Sequence, residues 1–192
     1  VTGIQNKAAQ ILTNKLNAAL QSEVYDATSP RYVRTGNDTQ VASLIKEMNA
    51  GKVGALLVYN ANPSYTLADA KAFNEGLKKV KLSVTFSSND DETALQTQFV
   101  AATPHYLESW GDAHLQEGHY SLMQPTIKPL FDTRQFEDSL LMWMGSSQNY
   151  YQALRDNWSA NILKGAGWNK ALHDGVYVSS LALKLKENKL DL

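Results

Sequence analysis

Apolar residues along the central part of the chain follow a pattern that predicts alternating strands and helices. Residues 53–59 (VGALLVY) form an apolar run typical of a strand covered on both faces, and residues 80–86 (VKLSVTF) are rich in β-branched residues. Between them, apolar residues recur at helical spacing in residues 67–77. Residues 99–104 (FVAATP) predict a third, shorter strand. This order implies right-handed crossovers and a parallel sheet, so we expect a three-layer α/β domain.

Two amphipathic helices are predicted before the first strand. Residues 4–20 place seven apolar side chains on one helical stripe. Residues 38–50 place four apolar side chains on the inward face of a second helix, for which Asp38 or Thr39 is the candidate cap. Gly51 lies at the position where helices commonly end. Thr66 is the predicted cap of the helix that follows the first strand. Both faces of the sheet therefore have helices available to cover them.

After Pro104 the pattern changes from alternating strands and helices to a hairpin followed by helices. Residues 112–124 (DAHLQEGHYSLMQ) predict a hairpin that turns at Glu117-Gly118. Residues 126–144 predict a loop and then a helix capped by Asp132 or Thr133, and residues 148–165 predict a further helix that stops near Gly165. The sheet domain is thus extended by a hairpin and C-terminal helices.

The predicted domain organisation has three parts. Residues 1–112 form the parallel-sheet domain, residues 113–175 are a hairpin and helical extension of it, and residues 176–192 begin a following segment. The final segment alternates Leu with Ala or Lys from residue 181 to residue 186, which predicts a strand with no partner further along. We therefore expect the chain to be a piece of a longer protein, so the absence of a targeting signal is uninformative.

Composition excludes several classes of function. The 192 residues carry 18 basic and 19 acidic side chains, a net charge of −1, which argues against nucleic acid as a partner. Because there is no cysteine, this segment supplies no thiolate to a disulfide, an iron–sulfur cluster or a zinc site. No apolar run approaches the ~20 residues that span a bilayer, so no direct membrane insertion is expected.

Polar residues follow each of the three predicted parallel strands. Asn60, Asn62 and Pro63 come after the first, residues 87–93 (SSNDDET) after the second and residues 103–112 (TPHYLESWGD) after the third. The carboxyl ends of parallel strands meet at one rim, where open α/β sheets bind ligands. The Asn-Ala-Asn-Pro sequence is equally ordinary turn chemistry, in which asparagine side chains bond their own backbone. Residue types alone leave both interpretations open.

No established catalytic or metal motif is present. The glycine patterns of dinucleotide-binding folds and of P-loop proteins are absent. His105, His114 and His119 have spacings that match no zinc template, and Glu108 with Asp112 has only the spacing of two loop carboxylates. Aromatic residues concentrated in the C-terminal third are expected to form either a structural core or a face that packs on a neighbouring domain. We therefore predict no catalytic and no metal-binding residue in this chain.

Four segments resemble the molybdopterin oxidoreductase superfamily, which includes dimethyl sulfoxide reductase and formate dehydrogenase. Residues 54–70 (GALLVYNANPSYTLADA), 79–94 (KVKLSVTFSSNDDETA) and 104–113 (PHYLESWGDA) match its succession of strand ends. Residues 118–141 (GHYSLMQPTIKPLFDTRQFEDSLL) are similar to the iron–sulfur/molybdopterin-like large subunit of alternative complex III. The resemblance implies a Rossmann- or flavodoxin-like piece of that superfamily's fold.

In catalytic members, such strand ends hold part of a molybdopterin guanine dinucleotide. The cofactor-binding candidates that the resemblance places at the three strand ends are Asn60, Asn62 and Pro63; Ser87, Asp91, Glu92 and Thr93; and His105, Glu108 and Asp112. Catalytic members usually carry a Leu-Pro-Asp-like turn where this chain has AATPHYLE, residues 101–108. The resemblance to alternative complex III implies instead a domain that holds no molybdenum cofactor.

The resemblance therefore implies a cofactor-free scaffold domain of an oxidoreductase-like subunit in a quinol-oxidising electron-transfer complex. Its expected partners are other domains of the same chain and other subunits of the complex. Iron–sulfur clusters are expected elsewhere in the full-length protein. The expected location is periplasmic, where partner subunits attach the protein to a membrane. The alternative is a domain that binds molybdopterin guanine dinucleotide in a catalytic molybdenum oxidoreductase; this segment alone is not expected to catalyse a reaction.

Overall fold

The computed structural model describes residues 2–23, 31–33 and 35–179 of the 192-residue chain. It contains a parallel sheet with helices and a separate antiparallel sheet, so the predicted α/β class is confirmed. The strand predicted from the Leu alternation after residue 180 lies outside the described residues.

The parallel sheet consists of β1 (Ala55–Tyr59), β2 (Leu82–Ser87) and β3 (Phe99–Ala102). The strands lie in the order β1-β2-β3 with every pair parallel, which confirms the prediction from the apolar pattern. Leu57 lies opposite Val84, which lies opposite Phe99. The carboxyl ends of all three strands consequently meet at one edge of the sheet.

Helices α2 (Asp38–Asn49) and α4 (Ala70–Leu77) pack on one face of the sheet. Their core consists of Met48, Phe73, Leu77 and Val80, with Leu56 of β1 packed against it. A short helix, α3 (Pro63–Thr66), follows β1 directly. The helix α2 is capped by Asn37, which precedes the predicted residues 38–39.

The predicted cap at Thr66 is wrong. Thr66 ends α3, and its hydroxyl donates to the carbonyl of Asn62 (2.9 Å). Asp69 caps α4 instead, accepting a hydrogen bond from the amide of Ala72 (3.0 Å). The reason is Pro63, whose fixed φ starts a helical turn at once, so that the chain must leave this turn before α4 can begin.

The second sheet is antiparallel and consists of β4 (Gly111–Gln116), β5 (His119–Met123) and β6 (Val176–Val178) in that order. The predicted hairpin is confirmed: β4 and β5 turn at Glu117-Gly118, and Gly118 has a φ of +73°, which glycine adopts without strain. Strand β6, from the far end of the described chain, pairs with β5.

Helices α5 (Phe136–Trp143), α6 (Tyr150–Asn157) and α7 (Trp168–Asp174) follow the hairpin, and a π-helical turn (Trp158–Ile162) extends α6. Helix α6 with its π-helical turn and helix α7 build a second core against β5, whose buried members are Leu122, Leu154, Trp158, Leu163, Trp168 and Ala171. Of the C-terminal aromatic residues, Trp158 and Trp168 lie in this core with Tyr150 and Tyr151 packed against it, whereas Trp143 is 56% exposed.

The predicted cap of α5 at Asp132 or Thr133 is wrong. The amide of Thr133 bonds the carbonyl of Phe131 (2.8 Å), so the chain is still turning there, and α5 begins only after Gln135. Gln135 cannot cap the helix with its side chain because that side chain bonds both backbone groups of Trp110. The helix start is thus set by a tertiary contact.

Helices lie on both faces of the sheet, as expected, because Phe136 of α5 contacts Tyr59 and Phe86 on the face opposite α2 and α4. Two apolar surfaces nevertheless remain partly exposed. On the face that α5 contacts, Leu57 and Phe99 at the two outer strands are 41% and 60% exposed, whereas Val84 between them is buried. Helix α1 (Lys7–Ala19), capped by Asn6, forms as predicted but contributes no buried residue, and Leu16 on its apolar stripe is 55% exposed. The open surfaces follow from the placement of the helices.

Candidate functional site

The carboxyl ends of the three parallel strands lie together, and each is followed by polar residues as the sequence predicts. β1 ends at Tyr59, β2 at Ser87 and β3 at Ala102. Asn60 leaves β1 in a left-handed conformation (φ +49°), which asparagine tolerates better than most residues, and its amide bonds the carbonyl of Phe86 (3.5 Å). The chain therefore turns sharply at the rim.

The loops after β1 and β2 are joined by a group of hydrogen bonds that we call the rim clasp, formed by Asn62, Ser64, Glu92 and Thr93. The side-chain amide of Asn62 donates to Glu92 (2.6 Å), and its oxygen accepts from the Thr93 hydroxyl (2.8 Å). The Thr93 oxygen also accepts from the amide of Ser64 (3.0 Å), and Thr93 is fully buried. The hydrogen bond from Asn62 lowers the pKa of Glu92.

The other polar residues after β2 stabilise their own turn. Asp91 accepts hydrogen bonds from the amides of Thr93 (3.0 Å) and Ala94 (2.8 Å) and so caps the short 3₁₀ helix there. The Ser87 hydroxyl donates to the carbonyl of Asn89 (2.8 Å) and accepts from its amide (3.1 Å). These groups satisfy backbone polar atoms in the loop.

Glu108, after β3, holds two chain segments together. One carboxylate oxygen accepts from the amide of His105 (3.0 Å) and the other from the amide of Leu130 (3.1 Å). Glu108 is only 9% exposed. The His105 ring accepts from the amide of Leu107 (3.3 Å), which completes a capping box around a 3₁₀ turn. Both residues therefore have structural partners within the fold.

Asp112, in β4, anchors the C-terminal core. One of its carboxylate oxygens accepts from the indole N–H of Trp158 (2.8 Å), a fully buried ring. His114, two residues on, stacks on Tyr120 with ring centroids 4.3 Å apart. Across the described residues 2–23, 31–33 and 35–179, no group of three potential ligands is arranged to hold a metal ion.

A cleft of about 580 Å³ opens at the strand ends, between the parallel sheet and the hairpin-and-helix part of the chain. Asn60 and His105 line it from the strand ends, and Asp112 lines it from β4. The opposite wall is formed by the first residues of α5 and α6, including Glu137 and Tyr150. The remaining predicted site residues lie outside the cleft: Asn62, Pro63, Ser87, Asp91, Glu92, Thr93 and Glu108.

The cleft is aromatic and negatively charged. Asp112 and Glu137 both line it, and no lysine or arginine is among the described residues that do so. Burial, followed by the nearby Asp112 and Glu137 carboxylates, raises the pKa of Tyr150 to about 12. Burial and Glu137 also raise the pKa of Tyr59, so both phenols remain protonated at neutral pH. The environment therefore disfavours any additional negative charge.

Sequence reasoning missed the second wall of the cleft. Tyr59, Phe136, Glu137 and Tyr150 line it but were not among the predicted site residues. Phe136 stacks on Tyr59 (ring centroids 4.3 Å apart), which brings the start of α5 to the end of β1. The only sequence signal was the acidic pair at residues 137–138 in the first turn of a predicted helix.

Comparison with known proteins indicates the relatives of this chain. No protein-family model matches the sequence. A curated relative, the menaquinone reductase molybdopterin-binding-like subunit of Nitratidesulfovibrio vulgaris (strain Hildenborough), is 40% identical over 104 residues, which is 52% of this chain and 15% of the relative. The predicted resemblance to the molybdopterin superfamily is confirmed. The matched region is a small part of this molybdopterin-like relative.

A solved structure shares the same fold. The model superposes on acetylene hydratase from Pelobacter acetylenicus with a TM-score of 0.60 over 73% of this chain and 21% of that one, at 18% identity. The chain therefore shares the fold of about a fifth of that structure. Every helix in the described ranges is too short or too polar to cross a bilayer.

Proposed function

We propose that this chain is a cofactor-free scaffold domain of a molybdopterin-oxidoreductase-like subunit. The observation that carries the proposal is the charge of the cleft: Asp112 and Glu137 line it, and no described lysine or arginine does. A molybdopterin guanine dinucleotide carries a pyrophosphate, which proteins hold with cationic side chains, metal ions or free backbone N–H groups. The described side chains that line this cleft offer two carboxylates and no lysine or arginine to pair with such an anion.

The rim clasp supports the same proposal. The polar side chains that the resemblance assigns to cofactor binding are bonded to one another or to nearby backbone atoms, as Asn62, Thr93 and Glu108 illustrate. Binding a dinucleotide through these groups would break hydrogen bonds that hold the loops together, at a cost of about 1 kcal/mol or more for each. Their observed partners favour a structural role.

We further propose that the full-length protein belongs to a complex that exchanges electrons with the quinone pool. The resemblance to alternative complex III implies quinol oxidation, whereas the curated relative is named a menaquinone reductase, and both involve quinone chemistry. In this proposal the domain fixes the relative positions of partner subunits and of the domains that carry iron–sulfur clusters. Iron–sulfur clusters lie elsewhere in the full-length protein, and partner subunits hold it at the periplasmic side of a membrane.

Metal and pterin analysis of the full-length protein tests the scaffold proposal. We expect iron and acid-labile sulfide in stoichiometric amounts and less than about one tenth of an equivalent of molybdenum or tungsten, with no pterin released on denaturation. One equivalent of molybdenum or tungsten with pterin would overturn the proposal. A related enzyme with known pterin content, handled identically, serves as the positive control.

The second candidate is a domain that binds molybdopterin guanine dinucleotide, and one specific observation favours it. The cleft of about 580 Å³ lies at the carboxyl ends of parallel strands, where α/β folds bind ligands. In this case Asn60, His105 and Asp112 are the predicted residues placed to touch the cofactor. Asn60→Ala would then lower the pterin content of the full-length protein without unfolding it.

A further inference from the structure

The cleft has the composition of a site for an organic cation. It combines two carboxylates, Asp112 and Glu137, with the aromatic rings of Tyr59, Trp110 and Tyr150. Aromatic faces attract cations through the quadrupole of the ring, and carboxylates attract them directly. No lysine or arginine among the described lining residues competes for these groups.

Glu137 is the residue on which the inference depends. It is half-buried, yet its side chain makes no hydrogen bond or ion pair with any of the residues in the described ranges. The neighbouring carboxylates are occupied, because Asp112 accepts from Trp158 and Asp138 accepts from the amide of Tyr150 (2.6 Å). A half-buried carboxylate in contact with a cleft is stabilised when a cation enters.

Glu137 lies in the first turn of α5, where the helix N-terminus stabilises part of its negative charge. This stabilisation does not fill the cleft beside it. A helix N-terminus stabilises an acidic side chain by about 0.3–1 kcal/mol. The same stabilisation would occur at any helix N-terminus, so it does not account for the aromatic rings that line the cleft. The raised pKa of Tyr150, which the Asp112 and Glu137 carboxylates contribute to after burial, indicates that their charges act together on the cleft.

The geometry points to a guanidinium group as the ligand, and we propose that the cleft receives an arginine side chain from a neighbouring protein segment. Guanidinium is planar, stacks on aromatic rings and bonds carboxylates in a bidentate manner, whereas an ammonium group is a compact, strongly hydrated charge. Tyr59, stacked on Phe136, and Tyr150 supply the rings, and Glu137 supplies the carboxylate. This inference rests on the proposed function, since the cleft must be free of a dinucleotide.

The test is a titration of the ¹⁵N-labelled 192-residue chain followed by amide NMR. The probes are Nα-acetyl-arginine N-methylamide, which mimics an arginine within a protein, its uncharged citrulline counterpart, and guanosine diphosphate. We expect the arginine probe to shift the amides of Asn60, Trp110 and Phe136, and the citrulline probe to bind at least tenfold more weakly. Raising the salt concentration weakens the arginine binding.

Two variants sharpen the test. Glu137→Gln removes the charge at nearly constant size and is expected to weaken arginine binding about tenfold or more. Glu47→Gln, on the exposed surface of α2, is the matched control and leaves binding unchanged. The spectra of both variants, recorded without ligand, report whether the fold is retained.

Three results would overturn the inference: equal binding of the arginine and citrulline probes, no shifts at the cleft with either probe, or arginine binding that is unchanged in Glu137→Gln. Tight binding of guanosine diphosphate that Glu137→Gln does not alter would also overturn it and would favour the dinucleotide reading of the cleft. The scaffold proposal is tested separately, by the metal and pterin content of the full-length protein, so the two failures are distinguishable.

Discussion

Glu108 shows how one carboxylate can hold a loop in place. It is 9% exposed, and its two oxygens accept from the amides of His105 and Leu130, which are separated by 25 positions in the chain. The resemblance to molybdopterin enzymes made it a candidate for cofactor binding, and whether it touches a cofactor stays a prediction. Its observed contacts have consequences for stability that can be measured.

We expect Glu108→Ala to lower the free energy of unfolding by about 2–3 kcal/mol, because two backbone amides lose a charged acceptor. Urea unfolding followed by circular dichroism measures this loss. Asp90→Ala, an exposed acid in the loop after β2, is the control and should change stability by less than about 0.5 kcal/mol. Equal effects of the two substitutions would contradict the proposed contact.

The hydrogen bond from Asn62 to Glu92 predicts a dependence on pH. This bond lowers the pKa of Glu92 below its ordinary value of 4.5, so the stabilisation is fully present above that value and is lost as the pH falls through the lower folded value. Asn62→Ala should therefore raise the pKa of Glu92 towards 4.5, as read from a carboxyl ¹³C NMR titration. The pKa of Glu75, lowered mainly by its bond to Lys78, should not change.

At the scale of elements, amphipathic helices of similar appearance have different roles. Helix α1 has an apolar stripe but no buried residue, whereas α6 buries Leu154 to 3% exposure beside Trp158. Hydrophobic periodicity predicts that a helix forms; it does not report which surface the helix meets. The contribution of each helix therefore depends on packing within the described chain.

Two matched substitutions measure this difference. Leu16→Ala in α1 should change the free energy of unfolding by less than about 0.5 kcal/mol, because the side chain is 55% exposed. Leu154→Ala in α6 should lower it by about 2–5 kcal/mol, because it leaves a cavity in the core. A large loss with Leu16→Ala in thermal or urea unfolding would show that α1 packs on the rest of the chain.

At the scale of the whole molecule, two cores are joined by α5. One core lies between α2, α4 and the parallel sheet, and the other lies between β5, α6 and α7, and they share no buried residue. Phe136 connects the two halves: it stacks on Tyr59 and meets Phe86 edge-on with ring centroids 4.8 Å apart. Cooperative unfolding of the molecule therefore depends strongly on this ring.

We expect Phe136→Ala to lower stability by about 3 kcal/mol and to separate the unfolding of the two cores. The methyl resonance of Met48 reports the first core and the indole resonance of Trp158 reports the second, so a urea titration followed by NMR should give different midpoints for the two signals. Phe131→Ala, which removes a ring that is 78% exposed, should leave the midpoints coincident. Coincident midpoints in Phe136→Ala would contradict the proposed connection.

The sequence was most informative where local pattern decides structure, and least informative where distant contacts do. The apolar runs predicted three strands and their parallel arrangement, and the cleft lies at the ends of these strands, beside Asn60 and His105. Glu137 and Tyr150 reach the same cleft from more than 70 positions beyond β1, and no periodicity reveals such a meeting. The cap of α5 failed for the same reason, since the contact between Gln135 and Trp110 sets where the helix begins.

The position of β2 between its two neighbours has a consequence for the exchange of backbone hydrogens with solvent. β2 is bonded to a strand on each side, whereas β1 and β3 are each bonded to one strand within the described chain. Deuterium should therefore replace amide protons slowly along all of β2, but in a slow–fast alternation along β1 and β3. The backbone N–H and C=O groups that remain unpaired along the outer edges of β1 and β3 can accept a strand from another polypeptide, which would extend the sheet on either side.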